Sequence, residues 1–257
     1  MKYLAIGLVV ASALIGGCQK AASEAPRQFS QAVLDKALAD PSRKEQRDAS
    51  DAVRKPGPLI ALAGMKPGDK VLDLIPGSGY WTRIFSKVVG PQGKVYAVWP
   101  QAYAREAMGN VGDLRKLSAD KYYGNIVTEV QPSTTLTSPE PLDVVWTSQN
   151  FHDYPDEFMG KGDPSDLAKD AFNILKPGGV FLVIDHEAKA GRGLQDTEKL
   201  HRIDPAAVRK IVEGAGFKFE GQSDVLKNPA DPMNIPVFDK SIRGHTSQFA
   251  YKFVKPN

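Results

Sequence analysis

The chain has 257 residues, 42% of them hydrophobic and 25% charged, with a formal net charge of +3. That is enough chain for one well-buried domain without covalent staples. Cys18 is the only cysteine, which excludes an intramolecular disulfide or a thiolate-rich metal site, and the lack of a basic–aromatic cluster argues against a nucleic-acid partner.

Met1–Lys2 gives a minimal basic start, residues 3–15 are nearly all apolar or small, and Gly16–Gly17–Cys18 follows. The apolar run is shorter than the about 20 residues a membrane-spanning helix needs and fits the core of a secretory signal. Leu14–Ile15–Gly16–Gly17–Cys18 resembles a bacterial lipobox, in which cleavage precedes the cysteine and its thiol carries lipid. The expected organisation is a signal peptide at 1–17, a small, polar, lipid-anchored tether at 18–28, and a single domain at 29–257. The expected location is the bacterial cell envelope, with the chain held to the membrane through the lipid on Cys18, on the periplasmic side of a Gram-negative host. An ordinary signal with an incidental cysteine is the plainer alternative.

Helical spacing of Phe29, Val33, Leu34 and Leu38 predicts a helix over 29–39, and Pro41–Ser42 ends it. A charged segment to Arg54 forms a further helix, and a short one covers 59–63. Strands are then expected at 70–75, 94–98, 125–130, 142–147 and 179–184, with helices at 81–88, 101–108 and 165–175. Pro91–Gln92–Gly93 and Lys176–Pro177–Gly178–Gly179 read as tight turns aimed into the next strand. Asp204–Pro205 starts a late helix that stops at Gly214–Ala215–Gly216. Segments 217–225 and 248–254 close the chain as strands around a long excursion. The alternation predicts an α/β domain with a mainly parallel sheet covered on both faces.

The most informative stretch is Val71–Leu72–Asp73–Leu74–Ile75–Pro76–Gly77–Ser78–Gly79–Tyr80–Trp81. A strand ends in an acid, a glycine turn follows, and a helix begins. Gly77 and Gly79 can adopt angles closed to other residues and admit a ligand closely, and the amides at the helix start can receive a carboxylate or hydroxyls. With the strand 142–147 and the Leu175–Lys176–Pro177–Gly178–Gly179 step into the next strand, this stretch resembles the class I S-adenosylmethionine-dependent methyltransferases. Asn150–Phe151–His152–Asp153 and Ser241–Ile242–Arg243–Gly244 are similar to motifs of predicted exported bacterial proteins of that kind. The resemblance implies a Rossmann-like seven-stranded fold with an antiparallel C-terminal strand and extra N-terminal helices. It implies S-adenosylmethionine as cofactor and a small-molecule acceptor. The cofactor site would comprise Asp73, Ile75, Pro76, Gly77, Ser78, Gly79, Tyr80, Trp99 and Asn150, with Asp73 orienting the loop and Trp99 stacking on adenine.

Two departures stand out. Ile75 occupies a position where that family has glycine, and Trp99–Pro100 follow Val98 where an acid usually accepts both ribose hydroxyls. A dinucleotide site is disfavoured because the turn lacks a full G-x-G-x-x-G pattern. A noncatalytic envelope module on the same fold is the competing function.

Ligands of open α/β sheets sit beyond the carboxyl ends of the strands, and all four histidines fall in predicted loops there. His152, Asp153, His186 and His201 are the candidate catalytic groups, with neutral His152 as a base, and Asp185 can share that role. Arg202 and Arg243 are the candidate substrate-binding cations. No H-x-x-x-H or H-E-x-x-H helix is present, so no metal site is assigned, although His152, Asp185, His186 and His201 would supply donors if their loops converged.

Overall fold

The computed structural model describes Met1 and residues 28–257. The signal peptide, the lipobox with Cys18 and nearly all of the tether lie outside the described residues. Helix α1 (Gln31–Leu38) starts at Ser30, whose hydroxyl accepts the Val33 N–H. Helices α2 (Lys44–Arg54) and α3 (Pro56–Ala63) follow, the latter with proline in its first turn. The alternating region comprises β1 (Lys70–Leu74), α4 (Tyr80–Val89), β2 (Lys94–Pro100), α5 (Gln101–Glu106), α6 (Met108–Ala119), β3 (Ile126–Gln131), β4 (Leu142–Ser148), α7 (Pro164–Ile174) and β5 (Leu175–His186). A short α8 (Thr197–Leu200), α9 (Pro205–Gly214), β6 (Lys218–Ser223) and β7 (Gln248–Val254) complete the chain.

These strands form one seven-stranded sheet in the order β3-β2-β1-β4-β5-β7-β6. Neighbours from β3 to β5 are parallel, whereas β7 runs antiparallel to both β5 and β6. The seven-stranded, Rossmann-like expectation therefore holds. Residues 71–74 of β1 and 95–100 of β2 are buried without alternation, as strands covered on both faces must be. Helix α4 packs on β1 and β2, and α1 packs on α3 and α4. Helices α7 and α9 pack together, α7 against β5 and α9 against β6 and β7. Among the described residues no helix is long and apolar enough to cross a membrane.

Strand order reverses at β1: the chain moves outward through β2 and β3, then returns to β4 on the other side. The carboxyl ends of β1 and β4 therefore flank the crevice where such sheets bind ligands. Three differences from the expected elements bear on it. β2 extends through Pro100, which draws Trp99 into the sheet. Helix α6 was not expected at all. The Lys176–Gly179 turn lies within β5 as an irregularity: Leu175 pairs with Leu142, and pairing resumes at Val180 with Val144.

The turn into β2 is closely packed. A Cβ on Gly93 would lie 2.4 Å from Val89 Cβ and 2.7 Å from the Asp69 carbonyl oxygen. Backbone on one side prevents relief by a rotamer change, so Gly93→Ala should destabilise the fold by about 1–3 kcal/mol. Chemical denaturation checks this; an unchanged midpoint would show that the turn tolerates the methyl group.

Candidate active site

The glycine turn leaves β1 in a strained conformation. Ile75 has φ 54°, and Gly77 and Gly79 have φ 56° and 81°. The Ile75 N–H donates to the Val98 carbonyl at 2.9 Å, and Gly79 N–H closes the turn on Pro76 O at 2.9 Å. A Cβ added at Gly77 would meet nothing within 4 Å, so the turn faces open space there. Helix α4 begins at Gly79 without a side-chain cap, which leaves its first amides for another acceptor. Behind the turn, buried Asp73 accepts a hydrogen bond from Thr82 Oγ1 at 2.6 Å. Burial raises its pKa to about 7 against the opposing pull of Thr82 and Arg54.

Tyr80 and α2 cover this turn. The Tyr80 hydroxyl donates to Asp51 Oδ1 at 2.7 Å, and the Arg54 guanidinium lies 4.9 Å from the Tyr80 ring centroid. Fully buried Arg43 holds Asp51 through two bonds of 2.6 and 3.1 Å. Tyr80 does stand at the loop, but its ring is engaged with α2. Pro76 is buried, Gly77 half-buried and Ser78 exposed.

Beyond β4 and β5 a polar network converges. His152 lies in the turn Phe151–Asp153, and His186 is the last residue of β5. Asp185 Oδ1 lies 2.7 Å from His152 Nδ1, and its Oδ2 accepts the His152 backbone N–H at 2.9 Å. His152 Nε2 is 3.1 Å from Asp153 Oδ1, and His201 Nδ1 is 3.8 Å from that same oxygen. Tyr103 of α5 donates to Asp153 Oδ2 at 2.9 Å, so the ends of β2 and β4 are bridged across β1. Asn150 Nδ2 donates to Ser148 O at 2.6 Å and reaches towards Ile75 O at 3.5 Å. His201, at φ 52°, rests its ring 5.5 Å from that of His152 and 4.8 Å from that of Phe238.

The electrostatics revise the expected roles. Burial opposes an imidazolium at His152, but Asp185 and Asp153 prevail and push its pKa up to about 10. His152 is therefore no neutral base at pH 7. Burial likewise opposes charge on Asp153, yet hydrogen bonds from His152 and His201 bring it down to about 2. Burial pushes His186 down to about 4, and its Nδ1 is 2.8 Å from Thr246 Oγ1. His186 thus turns from the Asp153 side of the network. Asp156 is 1% exposed, and its oxygens lack a well-formed hydrogen bond. Burial raises its pKa to about 6, eased by the nearby Thr197 side chain.

Two expected contacts do not survive. Trp99 is 1% exposed within β2, so its indole has no free face for adenine. Arg202 is fully buried, paired with Asp231 at 2.8 and 3.0 Å and donating to Glu187 O and Ile235 O. It clamps the excursion before β7 and cannot reach a substrate. Arg243 is exposed, and the Asp239 carboxylate is occupied by Ser241. Residues 191–193 form a turn held by Asp204, whose Oδ2 accepts the Gly191 and Gly193 N–H groups.

Sequence reasoning passed over Tyr103, Asp156, Asp51 and Arg54. Tyr103 carried one available signal, a tyrosine in the first turn of a helix that starts at the ligand edge. A cavity of about 310 Å3 opens at the loop after β3, with Tyr154 in its wall. A larger one of about 810 Å3, lined by Lys36, Lys87 and Tyr122, lies at the amino ends of β2 and β3, away from the network.

The His152 pKa fixes a pH dependence. A folded value of about 10 against an unfolded value of about 6.5 means that His152 stabilises the fold fully below pH 6.5. That contribution is lost as pH rises through about 10. Stability of the parent protein should therefore fall between these limits more steeply than that of His152→Gln. Denaturation midpoints measured from pH 6 to 10 check this, and parallel curves would remove the charge from His152.

Comparison with known proteins places this geometry. The family model described as Protein-L-isoaspartate(D-aspartate) O-methyltransferase matches residues 44–156. A protein of Ectopseudomonas mendocina named Ubiquinone/menaquinone biosynthesis C-methyltransferase UbiE is 31% identical over 195 residues, covering 75% of this chain and 65% of the relative. The chain spans about half the length of several curated relatives of that name. Among solved structures, a SAM dependent methyltransferase from Aquifex aeolicus is similar with a TM-score of 0.56 at 19% identity, over 88% of this chain and 99% of that one. The [4+2]-cyclase SpnF is similar with a TM-score of 0.61 at 14% identity, over 80% and 82% of the two chains. With the strand order and the glycine turn after β1, these matches show that the chain has the fold of the class I S-adenosylmethionine-dependent methyltransferases and is similar to them over part of its sequence.

Proposed function

We propose that this protein is an S-adenosylmethionine-dependent methyltransferase of a small molecule. The observation that carries the reading is the β1 turn, where Ile75, Gly77 and Gly79 all hold positive φ above a buried Asp73. The backbone keeps its left-handed φ even where glycine has been replaced. S-adenosylmethionine would lie beside Gly77, where an added Cβ meets nothing, and at the uncapped start of α4. Gly77, Ser78 and Gly79 would hold it through their backbone, with Asp73 fixing the loop from behind and Asn150 closing it from the β4 side. When bound, it supplies an electrophilic methyl group on sulfonium.

The chain's own contribution is alignment and management of a proton. Asp185 and His152 form a rigid base for Asp153, which faces the part-exposed His201. An acceptor at that point faces the Asp153 carboxylate, held anionic, and the His201 imidazole, which takes its proton. A cavity of about 310 Å3 between the loop after β3 and the start of α7 has Tyr154, the chain neighbour of Asp153, in its wall. The relatives' names refer to C-methylation and the family model's to O-methylation, so the two names disagree on the acceptor atom. Arg243 is the remaining exposed cation offered to an anionic acceptor.

A noncatalytic module is the second reading, and one observation favours it. The cavity between Val53, Arg54, Trp81 and Gln248 is only about 10 Å3. Cofactor entry along this path requires α2 to lift from Tyr80. We also propose that Cys18 carries a lipid and holds the protein in the bacterial envelope. The lipobox-like residues 14–18 support this, as does the polar spacer that follows.

Calorimetric titration of the full chain with S-adenosylmethionine and S-adenosylhomocysteine tests the first reading. Saturable binding is expected, weakened about 10–100-fold in Asp73→Asn through loss of the buried acceptor that Thr82 meets behind the loop. Absence of binding by folded protein leaves the noncatalytic module. For the anchor, metabolic labelling with a fatty-acid analogue should mark the wild type and not Cys18→Ser; equal labelling would sink the proposal.

A further inference from the structure

We infer that His152, Asp153 and His201 form a binding site for one divalent transition-metal ion. Their donor atoms lie within 4.8 Å of one another, with Asp153 Oδ1 3.1 Å from His152 Nε2 and 3.8 Å from His201 Nδ1. Ligands at about 2.1 Å from a tetrahedral ion sit about 3.4 Å apart. Side-chain shifts of about 1 Å therefore bring all three into range. His201 is the group free to make them: it follows the four-residue α8 and its side chain is 28% exposed, against 4% for the other two.

A second observation concerns the atoms behind the ligands. His152 Nδ1 faces Asp185 Oδ1 at 2.7 Å, which directs Nε2 at Asp153. A ligating imidazole whose other nitrogen donates to a carboxylate is the usual outer support of a metal site. Asp185 is itself fixed by the backbone N–H groups of His152 and His186. Tyr103 donates to Asp153 Oδ2 at 2.9 Å, leaving Oδ1 as the ligand. Two ligands thus come with their own orienting groups.

The donor set selects the ion class. Two imidazoles and one carboxylate suit zinc, iron(II) or manganese(II), whereas calcium and magnesium favour oxygen donors. Binding displaces the Nε2 proton of His152, and one proton leaves for solvent. Three protein ligands leave coordination positions open. On the methyl-transfer reading, an open position takes a hydroxyl or enol oxygen of the acceptor. The ion would make that oxygen more acidic, so that its proton passes to solvent and not to His201, and the methyl group leaves the sulfonium for the acceptor with S-adenosylhomocysteine as the leaving group.

The test uses full chain stripped with chelator and titrated with Zn2+ and Co2+ alone. One equivalent should bind, with visible d–d absorption from Co2+ and a rise in Tm with either ion. His201→Ala, at a part-exposed site, should fold and bind about 100-fold more weakly or worse. Asp185→Asn should cost about 10–100-fold, the usual effect of losing an outer carboxylate. No stoichiometric uptake by folded wild type would overturn the site, as would uptake undiminished in both His201→Ala and Asp153→Asn. Asp73→Asn should take up metal normally while binding S-adenosylmethionine weakly, so failure of the metal site and failure of the cofactor reading give different results.

Discussion

The Asp185 carboxylate, fully buried at the end of β5, receives the backbone N–H of His152 at 2.9 Å and that of His186 at 2.7 Å, and it faces His152 Nδ1 at 2.7 Å. A carboxylate buried without such partners would be costly. Here its partners are the first turn after β4 and its own strand, so solvating the charge and joining the two strand ends are one interaction. Its consequences pass outward in sequence. The orientation of His152 sets Nε2 against Asp153, and Asp153 in turn receives Tyr103 from beyond β2. A constraint at β5 thereby reaches across β4 and β1, and the crevice at the strand-order reversal is framed by groups whose orientations are not independent.

The N-terminal helices add a second frame with different chemistry. Asp51 joins the buried Arg43 to the Tyr80 hydroxyl, and Arg54 covers the Tyr80 ring. Removing Asp51 would leave the buried Arg43 guanidinium without its carboxylate, which is destabilising because the partner charge stays behind. Helix α2 buries no residue of its own; polar contacts with Tyr80, not apolar packing, therefore hold it over the glycine turn. The cover is tied in on its other side as well: Arg43 donates to Leu38 O at 2.7 Å, and Ser42 lies 2.6 Å from the Tyr123 hydroxyl.

How far the sequence reveals this arrangement varies by element. The central strands were legible because β1 and β2 are buried on both faces and read as continuous apolar runs. Helix α6 was not, because Gly109, Asn110 and Gly112 lower its intrinsic propensity; packing of Val111, Leu114 and Leu117 overrides that. The histidines were correctly placed at the carboxyl edge, but their protonation depends on which carboxylates face them, which no spacing encodes. Arg202 illustrates the same limit. Its partner Asp231 lies 29 residues away in the excursion before β7, and only the folded path shows that the pair is internal. Trp99 failed as a cofactor contact for a simpler reason: β2 runs two residues further than its apolar pattern marks.

Ile75 carries the clearest conflict between local preference and the fold. A β-branched side chain at φ 54° is disfavoured by its own Cβ, and the following Pro76 restricts the residue further. Such strain costs about 1–3 kcal/mol and persists only where surroundings over-determine it. The surroundings are visible: the Ile75 N–H is held by Val98 O at 2.9 Å, Asn150 Nδ2 points at its carbonyl, and its side chain is only 7% exposed among core residues. Gln149, next after β4, also has positive φ at 64°, and its N–H is held by Ile184 O at 2.8 Å. Both neighbouring strands thus leave the sheet through left-handed residues that a β-neighbour fixes by a backbone bond. Core burial of the Ile75 side chain offsets part of its backbone strain, a compensation glycine would lack, and the replacement keeps the left-handed turn while anchoring it to the core. The turn that defines the ligand edge is thereby held by packing and not by the backbone freedom of a glycine.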